Sequence, residues 1–128
     1  MAFRVELAPR AFQDLNEITN HIKTLGSAEQ AGKWLDGILE AIGSLRRLAA
    51  RCPVAAESAD LGFEVRRLVY GRRNRGYKVY FAIHDATETV RIFHVRHWAR
   101  RLLASRELLH LAREGPARGP AAKPADPS

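Results

Sequence analysis

A chain of 128 residues, 46% hydrophobic and 27% charged, has the length and composition of one domain with a short tail, which excludes a cofactor enzyme with separate nucleotide and substrate domains. The single cysteine, Cys52, excludes an internal disulfide and a cysteine-based metal cluster, and we expect neither a metal nor a cofactor. No apolar run approaches the roughly 20 residues that span a bilayer, and the chain does not start with a secretory signal, so we expect a cytoplasmic protein with no membrane partner.

The first half of the chain begins with a short strand pattern and then becomes helical. Phe3–Leu7 alternates apolar and charged residues with the period of a half-buried strand. Pro9 suits the first turn of a helix. The apolar residues of this helix recur every three or four positions, at Phe12, Leu15, Ile18, Ile22 and Leu25. Gly26 is expected to end the helix in a left-handed conformation.

A second amphipathic helix follows almost at once. Ser27 and Gln30 form a capping-box pattern, in which Gln30 reaches back to the cap residue. The apolar stripe then runs over about five turns, through Ala31, Trp34, Leu35, Ile38, Ile42, Leu45 and Ala49, and Cys52-Pro53 ends it. The short connection predicts an antiparallel helical hairpin with Trp34 packed between its helices.

The second half changes from a helical period to a period of two. After a loop over Val54–Gly62, three strands are predicted, over Phe63–Tyr70, Tyr77–His84 and Thr89–Arg96, joined by tight turns. The fold class is therefore α+β, a β-α-α-β-β-β chain with the helical hairpin on one face of an antiparallel sheet and the other face open to a partner. A C-terminal helix is predicted over 98–113, either as the element that completes the core or as a partly docked element that binds another chain. The domain is expected to span 1–113, and the Pro/Ala/Gly-rich residues 114–128 form a disordered tail.

The positive charge of the chain is concentrated in its sheet segment. The formal net charge is +7, yet residues 1–63 hold 7 basic and 8 acidic side chains, whereas residues 64–106 hold 11 basic and 3 acidic ones. Such a concentrated field attracts phosphates, acidic peptides or acidic protein surfaces. The sequence therefore predicts an anionic partner for the sheet.

The same segment resembles the RelE/ParE toxin superfamily of bacterial type II toxin–antitoxin modules. The resemblance is carried by Arg66-Arg67-Leu68, by Gly76-Tyr77-Lys78-Val79-Tyr80-Phe81 and by the run from Val90 to Arg100, VRIFHVRHWAR. Pro9-Arg10-Ala11 with Asp14-Leu15 and Glu17-Ile18 resembles the first helix of the ParE branch. The resemblance covers roughly residues 3–101 and implies a toxin whose basic sheet face is neutralised by a co-produced antitoxin. RelE-like members cleave messenger RNA on the ribosome, whereas ParE-like members inhibit DNA gyrase.

A RelE-like ribonuclease would need a proton acceptor, a proton donor and cations that stabilise the phosphorane. In this reading the catalytic residues would be Arg66, Lys78 and Arg100, since they fall at positions similar to the basic residues of those nucleases. Two departures count against it: Glu64 stands where a second lysine is expected, and no tyrosine follows Tyr80. His94 or His97 could act as base or acid, but a histidine inside a strand can equally serve as a hydrogen-bonded structural residue.

The ParE-like reading needs no catalytic residues, so these departures do not weigh against it. We therefore favour a ParE-like inhibitor of DNA gyrase that is neutralised by a cognate antitoxin. A ribosome-dependent ribonuclease acting on messenger RNA is the first alternative, and a non-catalytic basic binding module is the second. The residues expected to contact the target or the antitoxin are Arg66, Arg96, Trp98 and Arg100.

Overall fold

The computed structural model describes residues 2–60, 63–71 and 76–97. The predicted C-terminal helix and tail lie outside the described residues, as do Trp98 and Arg100. The main elements are β1 (Arg4–Leu7), α1 (Pro9–Leu25), α2 (Ala28–Gly43), α3 (Leu45–Leu48), β2 (Arg66–Tyr70), β3 (Tyr77–His84) and β4 (Thr89–His97), and short 3₁₀ turns lie at Ala49–Arg51, Ala56–Asp60 and Asp85–Thr87. None of the helices in these ranges has the length and apolarity to cross a bilayer.

The four strands form one sheet in the order β1-β4-β3-β2. The meander β2-β3-β4 is antiparallel, as predicted. The first strand departs from the prediction because it pairs with β4 in parallel, with Val5 opposite Val90, and this makes the sheet mixed. Alternation predicts strands and tight turns predict neighbours, but neither specifies the direction in which a distant strand joins the edge. The α+β class and the element order are confirmed.

The ends of the helices differ from the prediction in two places. Gly26 does follow α1, but with φ −128° and ψ −104° it is not left-handed. Its N–H still donates to Ile22 O at 2.8 Å, and Ser27 is already extended, so no residue is left for a left-handed cap. The Ser27 hydroxyl accepts from the N–H of Gln30 at 3.1 Å, which confirms the cap of α2.

The second helix is shorter than its apolar stripe. It ends at Gly43, and α3 and a 3₁₀ turn carry the chain on to Arg51. The two residues at the break are poor helix formers, and the Ser44 hydroxyl donates to Ala41 O at 2.6 Å, which competes with helix continuation. The stripe was nevertheless right about the core, since Leu45 and Ala49 beyond the break are fully buried.

Apolar clusters lie on both faces of the sheet. The larger one packs the helices against Val79, Phe81, Val90, Ile92 and Val95. A smaller one occupies the other face and consists of Ala8, Ala55, Val65, Tyr80, Ala82 and Phe93. The second face is therefore less open than predicted, because the segment before β2 supplies Ala55 and Val65 to cover part of it.

Trp34 packs against the core cluster under the helices and contacts the sheet. Its ring lies edge-on to Tyr77, with centroids 5.0 Å apart, and to Tyr70 at 6.4 Å. Gly37, one turn later in α2, lies so close to Tyr70 that an added methyl group would overlap the tyrosine hydroxyl. The glycine thus allows α2 to approach the end of β2.

This close approach predicts opposite effects of alanine at different glycines of α2. Gly37→Ala should lower the free energy of unfolding by about 1–3 kcal/mol, because Tyr70 is held by Trp34 and must shift to make room. Gly32→Ala and Gly43→Ala are the matched controls, since a methyl group there meets nothing within 4 Å. Each control substitution should raise the free energy of unfolding by roughly 0.5–1 kcal/mol. Urea unfolding measures all three, and equal effects at the three positions would contradict this packing.

Candidate functional site

Arg66 lies on the helix face of the sheet, apart from the other predicted site residues. It pairs with Phe81 in the β2-β3 register, and Phe81 belongs to the cluster under the helices. Its Nη1 donates to Cys52 O at 2.6 Å and to Ala50 O at 3.2 Å, while Nη2 pairs with Glu64 at 2.9 Å. Arg66 therefore connects the 3₁₀ turn that follows α3 to strand β2.

Lys78 and Arg96 lie on the opposite face, directly across from each other on β3 and β4. Alternation along each strand places them on the same side as Tyr80, which belongs to the second apolar cluster. The Lys78 side chain is buried, with 4% of the residue exposed, and it makes contacts within the protein. Arg96 is partly buried beside it. These two predicted residues are thus brought together, without Arg66.

Arg67 and His94 lie beside this pair of cations on the same face. Arg67 pairs with Tyr80 on one side, and His94 pairs with Tyr80 on the other, so the three form a row next to Lys78 and Arg96. The imidazole stacks on the Tyr80 ring with centroids 6.2 Å apart and an angle of 15°. We call Arg67, Lys78, His94 and Arg96 the basic sheet face.

Sequence reasoning missed Arg67 because both faces of β2 carry apolar residues. Residues alternate between the faces of the strand, so Leu68 and Arg66 lie on the same face as Tyr70, the helix face. Arg67 and Val65 lie on the other face with Val69. Either set could be the one that faces the helices, and adjacent arginines give the pattern no polar side. The aromatic contact of Tyr70 with Trp34 decides which set faces the helices, and this contact depends on tertiary packing.

His94 is held from behind by a buried carboxylate that sequence reasoning also missed. Its Nδ1 lies within hydrogen-bond distance of Asp14 Oδ2, at 2.6 Å, and the N–H of Val95 donates to the same oxygen at 2.9 Å. The other oxygen, Oδ1, accepts from Arg10 Nε at 2.9 Å. A polar residue among the apolar positions of α1 was the available signal, since Asp14 precedes the core residue Leu15.

The other candidate groups lie away from the basic sheet face. His97 lies edge-on to Tyr77, with centroids 5.1 Å apart, and Tyr77 contacts Trp34 of α2. Glu64 pairs with Arg66 and is exposed. Within the described ranges, no group of three or more His, Cys, Asp or Glu residues is arranged to hold a metal ion.

Two further groups are made less reactive by burial. Desolvation raises the pKa of the Cys52 thiol, and the positive charge of Arg66 opposes this shift without cancelling it. Burial also raises the pKa of Tyr77, which keeps its hydroxyl protonated. A nucleophilic cysteine needs a lowered pKa, so Cys52 has no activated thiolate.

Comparison with known proteins identifies similar chains. A family model described as the ParE toxin of the type II toxin–antitoxin system parDE matches residues 5–102. A chain of the chromosomal ParDE system from P. aeruginosa is 20% identical, and the alignment covers 75% of this chain and 96% of that one with a TM-score of 0.61, so the two share a fold. A chain of the toxin–antitoxin complex RelBE2 from Mycobacterium tuberculosis is 25% identical over 76% of this chain and 99% of that one, with a TM-score of 0.49. No curated protein matches the sequence.

The contacts of Arg66 predict a structural role that an alanine substitution reveals. Arg66→Ala should lower the free energy of unfolding by about 1–2 kcal/mol, because two backbone carbonyls lose their donor in a partly buried place. Arg51→Ala removes an exposed arginine nearby and should change it by no more than about 0.5 kcal/mol. Chemical denaturation of both variants makes the comparison, and equal stabilities would show that the Arg66 contacts contribute nothing.

Proposed function

The chain belongs to the ParE toxin family of type II toxin–antitoxin systems, and from this premise we propose that it acts as a ParE-like toxin that inhibits DNA gyrase in the cytoplasm. The family membership makes it the toxin of such a module. The proposed target is a protein, which the toxin would bind without chemistry of its own.

The observation that carries this proposal is the burial of the groups that RNA cleavage would need. A general base must come within hydrogen-bond reach of the ribose 2′-hydroxyl. Lys78 and His94, the two candidate proton carriers of the basic sheet face, are only 4% and 5% exposed. An RNA strand lying on this face would not reach them in the structure as it stands.

The position of Arg66 supports the same choice. A ribonuclease of the predicted kind would place Arg66 and Lys78 around one phosphate, yet they lie on opposite faces of the sheet. The Arg66 guanidinium is already engaged by two carbonyls and by Glu64. Arg100, the third predicted catalytic residue, lies outside the described residues. Arg66 is therefore absent from the face on which Lys78 would act, and the proposed catalytic residues do not surround one phosphate.

One observation favours the ribonuclease as the second candidate. The Asp14–His94 pair resembles the arrangement in which a carboxylate orients a catalytic imidazole. Lys78 and Arg96 lie next to it and could stabilise a phosphorane. Cleavage by this route would require the basic sheet face to open first.

The antitoxin is proposed to cover the basic sheet face. Its expected chemistry is an acidic segment that folds on binding, since such a segment complements the charge and forms an extended contact. The P. aeruginosa chain comes from a ParDE toxin–antitoxin system and the M. tuberculosis chain from a toxin–antitoxin complex, which supports a partner of this kind. Trp98 and Arg100, which follow directly after β4 in the sequence, stay proposed as contact residues with Arg96.

Two assays on one preparation separate the activities. The toxin should inhibit supercoiling by purified gyrase and leave messenger RNA intact on translating ribosomes. Lys78→Ala is the diagnostic variant, because loss of a cation that stabilises a phosphorane would reduce cleavage on the order of 100-fold. Ribosome-dependent cleavage that disappears in this variant, with supercoiling unaffected, would replace gyrase inhibition by the ribonuclease. Neither activity, with growth unimpaired by the folded toxin, would leave the non-catalytic binding module.

The antitoxin surface is tested by reversing charges on each side of the molecule. Arg67→Glu and Arg96→Glu should slow association with the cognate antitoxin several-fold and reduce its salt dependence, because steering by the basic sheet face is lost. Lys23→Glu and Lys33→Glu are the matched controls, since both lysines are exposed on the helical hairpin. Binding kinetics at two salt concentrations provide the measurement. Equal slowing by both pairs would remove the antitoxin from the basic sheet face.

A further inference from the structure

Among residues 2–60, 63–71 and 76–97, no strand pairs with the outer edge of the second half of β4. On that side β1 ends at Leu7, opposite Ile92, and the N–H of Ala8 makes a last ladder bond to Ile92 O at 2.7 Å. Past this point α1 packs along the strand in place of β1. The backbone N–H of Val95 is buried there and needs an acceptor.

Asp14 supplies that acceptor from the second turn of α1. Its Oδ2 atom accepts from Val95 N–H at 2.9 Å and from His94 Nδ1–H at 2.6 Å, so one oxygen binds the strand backbone and the neighbouring imidazole together. A carboxylate oxygen has room for both donors, and this pattern places the imidazole hydrogen on Nδ1. The orientation of the ring is thereby coupled to the position of the strand.

A β-bulge in β4 makes this coupling matter for the basic sheet face. The register shifts between Tyr80, which pairs with His94, and Phe81, which pairs with Ile92, so Phe93 is an extra residue. Because of the extra residue, Phe93 joins the cluster away from the helices, and the next residue, His94, stacks on Tyr80 of that cluster while its Nδ1 reaches Asp14 at the edge of the strand. Alternation resumes with Val95 in the cluster under the helices. The atoms that Asp14 binds therefore lie immediately before Arg96.

We propose that Asp14 is a positioning residue of the basic sheet face. By holding His94 and Val95 N–H with one oxygen, it fixes the strand immediately before Arg96 and thereby how Arg96 is presented to a partner. The inference rests on the proposed function in one respect, namely that the antitoxin recognises this face. Arg10 has a different part, since it contacts only the other oxygen of the carboxylate.

What this role requires is an acceptor oxygen at this position rather than a negative charge. Asp14→Asn keeps an oxygen for both donors and should bind the cognate antitoxin within about twofold of the wild-type Kd. Asp14→Ala removes the oxygen and should weaken binding on the order of tenfold, which corresponds to about 1.4 kcal/mol. Asp14→Ser serves as a second deletion variant. The serine side chain is too short for its oxygen to reach both donors, yet it keeps a polar group in the buried site.

Glu6→Ala is the matched control for loss of stability. Glu6 is also a buried carboxylate that contacts β4, through Arg91 at 3.0 Å, but it lies on β1 in the half that has a strand neighbour. Its removal should destabilise the protein while the Kd for the antitoxin stays within about twofold of wild type. A drop in affinity specific to the Asp14 variants therefore reports on presentation of the face.

The tautomer of His94 is the second readout, and it does not depend on any partner. Nitrogen-15 NMR of the free toxin, recorded at an alkaline pH at which the spectrum shows a neutral His94 ring, should show the hydrogen on Nδ1 in wild type, Asp14→Asn and Glu6→Ala. In the folded Asp14→Ala or Asp14→Ser protein the hydrogen should be found on Nε2, since Nδ1 has lost its acceptor.

Three results would overturn the proposal. One is a wild-type imidazole with its hydrogen on Nε2, and another is a folded Asp14→Ala or Asp14→Ser toxin that binds the antitoxin as tightly as Glu6→Ala. The third is an Asp14→Asn toxin as weak as the deletion variants, which would assign the role to charge. Arg96→Ala distinguishes failure of the premise: if it binds with wild-type affinity, the antitoxin does not recognise this face, and the role of Asp14 in presentation falls with it.

Discussion

The fold depends on how the outer edge of β4 is satisfied after β1 ends. A buried backbone N–H without an acceptor is costly, and an edge strand that is half paired would leave several such groups. Here the chain leaves the sheet at Ala8 and turns at once into α1, whose Asp14 carboxylate takes over where the parallel ladder stops. One short strand and one helix therefore share a single edge of the sheet.

The same arrangement divides the sheet into an apolar half and a cationic half on the face away from the helices. Toward the β1-paired end, Ala82 and Phe93 join the second apolar cluster, and Glu6 pairs there with Arg91 and with Arg4. Toward the other end, past the bulge, the residues of the basic sheet face lie around Tyr80. Asp14 contacts this group from α1, where it is bound by His94, Val95 and Arg10. The basic sheet face therefore occupies one half of one face of the sheet.

The helices and strands of this fold are predictable from sequence because each follows a local rule. Pro9 and Ser27 mark the starts of helices, and the stripe from Ile38 to Ala49 identifies core residues even where the helix breaks at Ser44. The site is less predictable because it depends on which face of its strand each residue occupies. A single extra residue, Phe93, changes which face β4 presents, and in β2 the adjacent arginines leave the choice between Arg66 and Arg67 to packing by Trp34. Asp14 and Val95 are 81 residues apart, and no local pattern joins them.

The mixture of basic and buried residues on this face bears on how one fold serves two kinds of target. RNA cleavage needs groups that exchange protons with a substrate, so a lysine or histidine must be accessible to the substrate and able to gain and lose a proton. Recognition of a protein needs a charged, shaped surface held rigid, since ordering side chains on binding costs free energy. Here Lys78 and His94 are enclosed, and His94 is fixed between Asp14 and the Tyr80 ring. Enclosure removes both side chains from contact with a ribose, which agrees with the proposed action by binding.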